Sequence, residues 1–412
     1  MNIKYNLTGL TLCIITLSTF AQNTPSLPKE ATACAGCHGN NGIGLSYEYP
    51  NLAGQKKKYL TKQLNAFKQG DRKDPTMNAM AAALSDKDID IITNYFSKLP
   101  NTQKAQSKEV QKGVSKASSA EFPNDVFVTM KKGAQVEVFP SEKSWEGNPN
   151  MLYNAVTPDG KMVLATSPSD NTLTVFDSKT GKQLTVIPVG KAPKGVKITP
   201  NGTQAYVSNQ DSAEISVIDL ESLKLIASIR TEKGPHNARF TRDGKIAYVT
   251  LQGGSGIGVI DTKSQKMINV IPVAGITGPH NLDLSKDEKT AFVRDFVHNV
   301  AVLDLNSGKV IKVITVGNGH GGIDVAPNGK FAATGAIGDD HISIIDTKTL
   351  EQTDIKVGNG PHGIRASKDS KWIYVTITKE NLVVVINAET MKIEKKIAVG
   401  QFPFWIAVNG NP

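Results

Sequence analysis

Thr199-Pro200-Asn201-Gly202, followed by Tyr206-Val207-Ser208-Asn209, is a tight turn that feeds a short β-branched and aromatic run. The unit recurs. Thr157-Pro158-Asp159-Gly160, Thr241-Arg242-Asp243-Gly244, Ser285-Lys286-Asp287-Glu288, Ala326-Pro327-Asn328-Gly329 and Ser367-Lys368-Asp369-Ser370 are equivalent turns. Taken in order with Gly202, their last residues stand 42, 42, 44, 41 and 41 apart. Pro, Asn, Asp and Gly supply the backbone geometry that a chain reversal needs. A second marker keeps the same period: Asp177, Asp219, Asp261, Asp304, Asp346 and Asn387 each close a run such as Ile215-Ser216-Val217-Ile218. A period near 42 with four strands per unit is a β-propeller blade. Six repeats are complete. Phe404-Trp405-Ile406-Ala407-Val408 is a seventh inner strand with no strands after it, while Val126-Phe127-Val128 and Val136-Glu137-Val138-Phe139 have no inner strand before them. The two ends complete one another. The expectation is a seven-bladed, all-β propeller over residues 123–412, closed by both termini so that no sheet edge is left exposed.

Ahead of the propeller the period changes. Leu60, Leu64 and Phe67 recur at i, i+4 and i+7, and Ile89, Ile92, Phe96 and Leu99 continue one apolar stripe behind the capping pattern Ser85-Asp86-Lys87-Asp88. Pro100 ends it. Residues 22–100 therefore read as a small all-α domain. Residues 101–122, with Lys104, Lys108, Lys112 and Lys116 among Gln, Ser and Ala, read as a polar linker. Residues 1–21 read as a cleaved signal peptide: Lys4 precedes an apolar run from Leu7 to Phe20, which is too short to span a bilayer, and Ala21 offers the small residue for cleavage. Cys13 is discarded with it, and no other stretch is long and apolar enough to span a membrane.

The helical domain carries Cys34-Ala35-Gly36-Cys37-His38. C-x-x-C-H is a covalent haem c attachment site: Cys34 and Cys37 bond the two vinyl groups, and His38 lies under the ring as an axial ligand. No βαβ pattern frames it as a thioredoxin-like motif, and the mature chain has no further cysteine for a zinc site. With Pro50-Asn51-Leu52-Ala53-Gly54-Gln55, Tyr59-Leu60, Gln63-Leu64, Phe67-Lys68, Met77 and Leu84-Ser85-Asp86, residues 29–99 resemble a class I bacterial cytochrome c of the short periplasmic type. The resemblance implies a methionine ligand on the distal side of the iron. That maps to Met77, with Met80 as its rival. It also implies a periplasmic address. His/Met ligation suits electron transfer rather than chemistry at the iron.

Tyr206-Val207-Ser208-Asn209 and Tyr248-Val249-Thr250 resemble the YVTN-type propeller repeat, a family too diverse to imply one function. The six propeller histidines are more informative. His236, His280 and His362 each follow Gly-Pro at one position of the repeat, and His320 sits one place earlier in its own repeat. These places lead into the innermost strands at the channel mouth. His298 and His341 occupy the loop between second and third strands, which emerges on the same face. Blades at Leu152, Lys194 and Phe404 manage without histidine, so the fold does not require it. Imidazole ligates metals and carries protons. A second site is expected here, with Asp295, Arg294, Asp339 and Asp340 in adjoining loops. Its occupant is copper, or haem d1 as in the periplasmic nitrite reductases, which this chain resembles in joining a cytochrome c to a propeller.

A formal charge of +9 and a pI near 9.2 suit acidic partners. A secreted chain rarely meets nucleic acid, so an acidic redox protein is the expected partner, with a small-molecule substrate at the mouth. The expected function is electron passage between the haem c and the histidine face, as a periplasmic oxidoreductase. The alternatives are a propeller that only docks a partner, and a nitrite-reductase-like enzyme with haem d1. No Ser/His/Asp triad, phosphate loop or paired-carboxylate motif points to hydrolysis.

Overall fold

A computed structural model describes residues 27–39, 42, 50–72, 75–82, 84–99, 122, 124–254 and 256–411. The expected signal peptide, Pro100 and the linker apart from Phe122 lie outside the described residues. Two compact units make up the chain, residues 1–104 and 105–412.

In the first unit a 3-10 turn, Lys29–Ala31, leads into α1 (Thr32–His38). Then come α2 (Lys57–Gln69), α3 (Pro75–Ala82) and α4 (Asp86–Lys98). Ser85 caps α4 as its sequence predicts: the hydroxyl accepts from the Asp88 backbone N–H, and the Asp88 carboxylate accepts from the Ser85 backbone N–H. Such a cap is worth about 1 kcal/mol. The predicted stripe faces inward, with Ile89, Ile92, Phe96 and Leu99 all at most 3% exposed. Ile92, Phe96 and Leu99 share one core cluster with Ala31, Ala53 and Leu60, and Cys34 packs against it.

The second unit is seven four-stranded antiparallel sheets. Six are continuous in sequence: blades 1 to 6 span 154–188, 193–230, 235–272, 279–315, 323–356 and 361–398. The closing blade pairs Pro403–Val408 with Val126–Met130, then Gln135–Phe139 and Lys143–Glu146. The first strand of each blade packs on the first strands of its neighbours, so these line the centre. Phe122, read from sequence as the last linker residue, belongs to this core: its ring stacks on Tyr374 and Phe139 at 5.1 and 5.8 Å between centroids.

A side-chain latch repeats between blades. Thr166 donates to the Lys194 carbonyl at 2.8 Å, Thr250 to that of His280 at 2.8 Å, and Thr376 to that of Phe404 at 3.1 Å. Thr129 makes the same bond to Leu152. Each latch pins a residue at or just before the start of the next blade's inner strand. In the column of Thr129, Thr166, Ser208, Thr250, Thr334 and Thr376, blade 4 has Arg294. Its guanidinium reaches the carbonyls of Gly317, at 2.9 Å, and Gly319. That longer reach holds the chain just before His320, the histidine offset by one place in the repeat.

Candidate functional site

In the helical unit, α1 sets Cys34 and His38 one turn apart, with Cys34 half-buried and His38 buried. The side chain of Cys37 lies outside the described residues. His38 Nδ1 donates to the Pro50 carbonyl at 2.8 Å, which fixes the ring and puts the lone pair on Nε2. That tautomer and the one-turn spacing fit an axial ligand beneath a thioether-linked haem. Met77 and Met80 both fall on α3; Met77 is partly buried and Met80 is 40% exposed. Asn78 anchors the start of α3, donating to the carbonyls of Phe67 at 2.6 Å and Arg72 at 2.8 Å.

In the propeller, four of the six histidines come together. His236, His280 and His362 are each the second residue of an inner strand, Pro235–Phe240, Pro279–Leu284 and Pro361–Ala366; His320 lies just before Ile323–Val325. Successive ring centroids stand 3.8, 4.7 and 5.1 Å apart from His236 through His280 and His320 to His362. Their exposures run from 0 to 9%. One nitrogen from each of His280, His320 and His362 lies within 4.8 Å of the other two. His362 Nδ1 donates to the Phe404 carbonyl at 2.9 Å. His362 Nε2 and both nitrogens of His280 have no hydrogen-bond partner among the described residues. Buried polar atoms are seldom left so. Burial pushes all four imidazoles below the ordinary range, that of His362 to about 4, so all are neutral donors at pH 7.

Aromatic rings enclose the cluster. Phe296 stacks on His320 at 4.8 Å and meets His280 at 5.5 Å; Phe404 packs on His362 at 4.0 Å, and the Tyr153 hydroxyl lies 3.4 Å from His236 Nε2. Lys131 and Lys194 add positive charge, and burial pushes both ammonium groups down. One layer further along the inner strands is a buried charge network. Arg239 Nε contacts Asp283 at 2.6 Å, Arg239 Nη2 contacts Asp324 at 3.2 Å, and Arg365 contacts Asp324. Lys197 is buried beside them, and desolvation pushes its ammonium well down.

His298 and His341 do not share in these ring contacts. His298 is half-buried, and Asp295 receives its backbone N–H at 2.7 Å. His341 joins Asp339 and Asp340 instead, with Nδ1 at 3.3 and 3.7 Å from their carboxylates. Asp340 is itself paired with Lys356 at 2.8 Å. Sequence reading offered these two histidines as candidate further ligands; in the structure they bond elsewhere, and Phe296 makes the ring contacts with His280 and His320. It also missed Tyr153, Phe296 and the latch threonines. The Thr column, broken only by Ser208 and Arg294, was the available signal.

The cytochrome D1 heme domain family matches residues 62–285 of this chain. The N-terminal region resembles small cytochromes. Among these, the thiosulfate dehydrogenase electron acceptor of Stutzerimonas stutzeri is 41% identical over 81 residues, 19% of this chain and 38% of that protein. Cytochrome c4 of Pseudomonas aeruginosa is 35% identical over 88 residues, 21% of this chain and 44% of that protein. This chain thus spans about two-fifths of the length of either relative. Cytochrome c-554(548) of Halomonas halodenitrificans is 45% identical over 67 residues, 16% of this chain and 81% of that protein. Among solved structures, dihydro-heme d1 dehydrogenase NirN in complex with DHE aligns over 92% of this chain and 97% of its own, with a TM-score of 0.56 and 16% identity. Hydrazine synthase of Kuenenia stuttgartiensis aligns over 63% and 90%, with a TM-score of 0.59 and 20% identity. At such identities these last two likenesses are of fold.

The family implies haem d1 in the propeller. The donor set suits an axial ligand, but the packing does not suit a macrocycle. Neighbouring imidazoles touch, and an axial ligand must present its nitrogen to an open face as wide as the ring. None of the four histidines does so.

Proposed function

The chain belongs to the cytochrome D1 heme domain family and carries a c-type cytochrome as its N-terminal segment; from that premise we propose a periplasmic redox protein whose haem c exchanges electrons with a site at the histidine mouth of the propeller. Cys34 and Cys37 would hold the haem, with His38 and Met77 supplying donors to its iron. Haem c supplies a one-electron centre when bound, and closed His/Met ligation keeps it to electron transfer. The Pro50 carbonyl holds His38 in the ligating tautomer. The observation that carries the reading is the propeller cluster: four buried imidazoles, with both nitrogens of His280 and Nε2 of His362 among those that lack any hydrogen-bond partner among the described residues. Leaving such atoms unpaired costs about 1–3 kcal/mol each, a cost that a bound group offsets. The partner that loads the haem is a redox protein. The name of the Stutzerimonas relative, an electron acceptor, supports a carrier role for the helical unit.

The test is anaerobic stopped-flow reduction of the full chain. The expected trace shows fast haem reduction, then partial reoxidation as an electron leaves for the propeller. His280→Ala with His362→Ala removes the second phase. A single reduction phase in the wild type overturns the reading and favours a propeller that only docks a partner. A second reading is favoured by the family match: haem d1 at the mouth, as in a nitrite-reductase-like enzyme. It requires the histidine cluster to part around the macrocycle.

A further inference from the structure

We propose that His280, His320 and His362 bind a single copper ion, with His236 packed against the site. This rests on reading the mouth as a redox centre and names what fills it. The three donor nitrogens lie within 4.8 Å of one another. A tetrahedral centre with bonds of about 2.0–2.1 Å sets its nitrogens about 3.3 Å apart. Small rotations of the three imidazoles close that gap without moving the strands. His362 is already prepared: the Phe404 carbonyl takes its Nδ1 proton, and Nε2 has no hydrogen-bond partner among the described residues. This is the arrangement in which the far nitrogen of a ligating histidine is held by the backbone. His280 offers either nitrogen.

The donor set selects the metal. All three donors are neutral imidazoles; Asp324, the carboxylate nearest in sequence to His320, is held by Arg239 and Arg365, and Asp339 and Asp340 belong to the separate His341 group. Imidazole suits copper and zinc, and among first-row dications a nitrogen site binds copper most tightly. Lys131 and Lys194 bring positive charge to the cluster, which penalises a dication more than a monovalent ion. The site therefore favours Cu(I). One electron passing from ferrous haem c to Cu(II) leaves ferric haem and Cu(I), so the couple balances with no further reactant. The aromatic enclosure of Phe296, Phe404 and Tyr153 limits water at the ion.

The experiment loads the full-length haem protein anaerobically with Cu(I), removes excess copper by gel filtration and counts copper against covalent haem. The expected result is one copper per haem. His280→Ala with His362→Ala weakens binding by about a hundredfold or more, while His341→Ala leaves it unchanged. Should the double variant not fold, X-ray absorption at the copper edge of the wild type decides instead, with scattering from three imidazoles expected. Folded wild type without stoichiometric copper, copper kept by a folded double variant, or an edge spectrum without imidazole scattering overturns the proposal. So does a tetrapyrrole released by acid-acetone extraction, which leaves covalent haem c behind. That last outcome removes the copper but leaves electron transfer to the propeller standing. The loss of both copper and the reoxidation phase removes the two together.

Discussion

His362 Nδ1 sits 2.9 Å from the carbonyl oxygen of Phe404, whose ring lies against the same imidazole at 4.0 Å between centroids. The contact crosses from blade 6 to the closing blade, so the tautomer of one histidine depends on how the ring closes. Burial outweighs that hydrogen bond and pushes the imidazole down to about 4. In the unfolded chain the same group titrates near 6.5. Between these values the unfolded state binds more protons, so metal-free propeller stability is full above pH 6.5 and falls as the pH drops toward 4. His362 alone contributes about 3 kcal/mol to that loss. All three tryptophans, Trp145, Trp372 and Trp405, lie in the propeller, so their fluorescence follows its unfolding. In denaturant titrations at pH 7 and pH 4.5, His362→Gln flattens the dependence. An equal pH dependence in variant and wild type would assign it elsewhere.

Thr250 holds the His280 carbonyl at 2.8 Å across the gap between blades 3 and 4. Thr250→Val keeps the shape but strands that acceptor and loses the bond that the Asn237 backbone N–H donates to Thr250 Oγ1. The expected cost is about 1–3 kcal/mol of propeller stability, read from the midpoint of urea unfolding. Weaker copper retention should accompany it, because His280 is no longer pinned. A change below about 0.5 kcal/mol would mean that the latch is ornamental.

On the helical unit, Met77→Ala should open the distal side of the haem and convert its spectrum from low-spin to mixed or high-spin. Met80, the more exposed of the two, should tolerate alanine. Cys34→Ala or Cys37→Ala should leave one thioether or none, visible as a shifted pyridine haemochrome band. A Met77→Ala protein with an unchanged sulfur-ligated spectrum would move the ligand to Met80.

The basic residues of α2 and its flanks divide into two kinds. Lys57 is paired with Asp90 at 2.7 Å and Lys68 with Asp86 at 3.4 Å, while Arg72 leans over Phe67 and bonds to Gln63. Lys56, Lys58 and Lys62 are exposed and have no ion pair among the described residues. These three are where an acidic redox protein is expected to dock. Electron exchange should slow as ionic strength rises, and Lys58→Glu with Lys62→Glu should slow it at low salt. Rates independent of salt would dispose of the patch.

The parts of this molecule legible in its sequence are those with local causes. The turn at Thr199–Gly202 repeats because each reversal needs the same backbone geometry, and that period alone gives seven blades and their closure by Phe404–Val408. Cys34–His38 is read without a fold because covalent attachment fixes its spacing. The shared repeat position of His236, His280 and His362 located the cluster. What stayed hidden depends on contacts between blades. Phe296, Arg294 and Tyr153 meet the cluster or position it from loops and strands whose register sequence does not reveal. The same holds for Arg239, Asp283 and Asp324, which find one another across 41 to 85 positions. His298 and His341 share a face with the cluster, but a face is wider than a ligand shell.

The central claim is that two redox centres share this chain. Spectroelectrochemical coulometry on the purified, copper-supplemented protein counts them directly, by electrons taken up per covalent haem. The account predicts two electrons, with the haem spectrum accounting for one and the second lost in His280→Ala with His362→Ala. Uptake of one electron by the wild type, all of it at the haem, would contradict it.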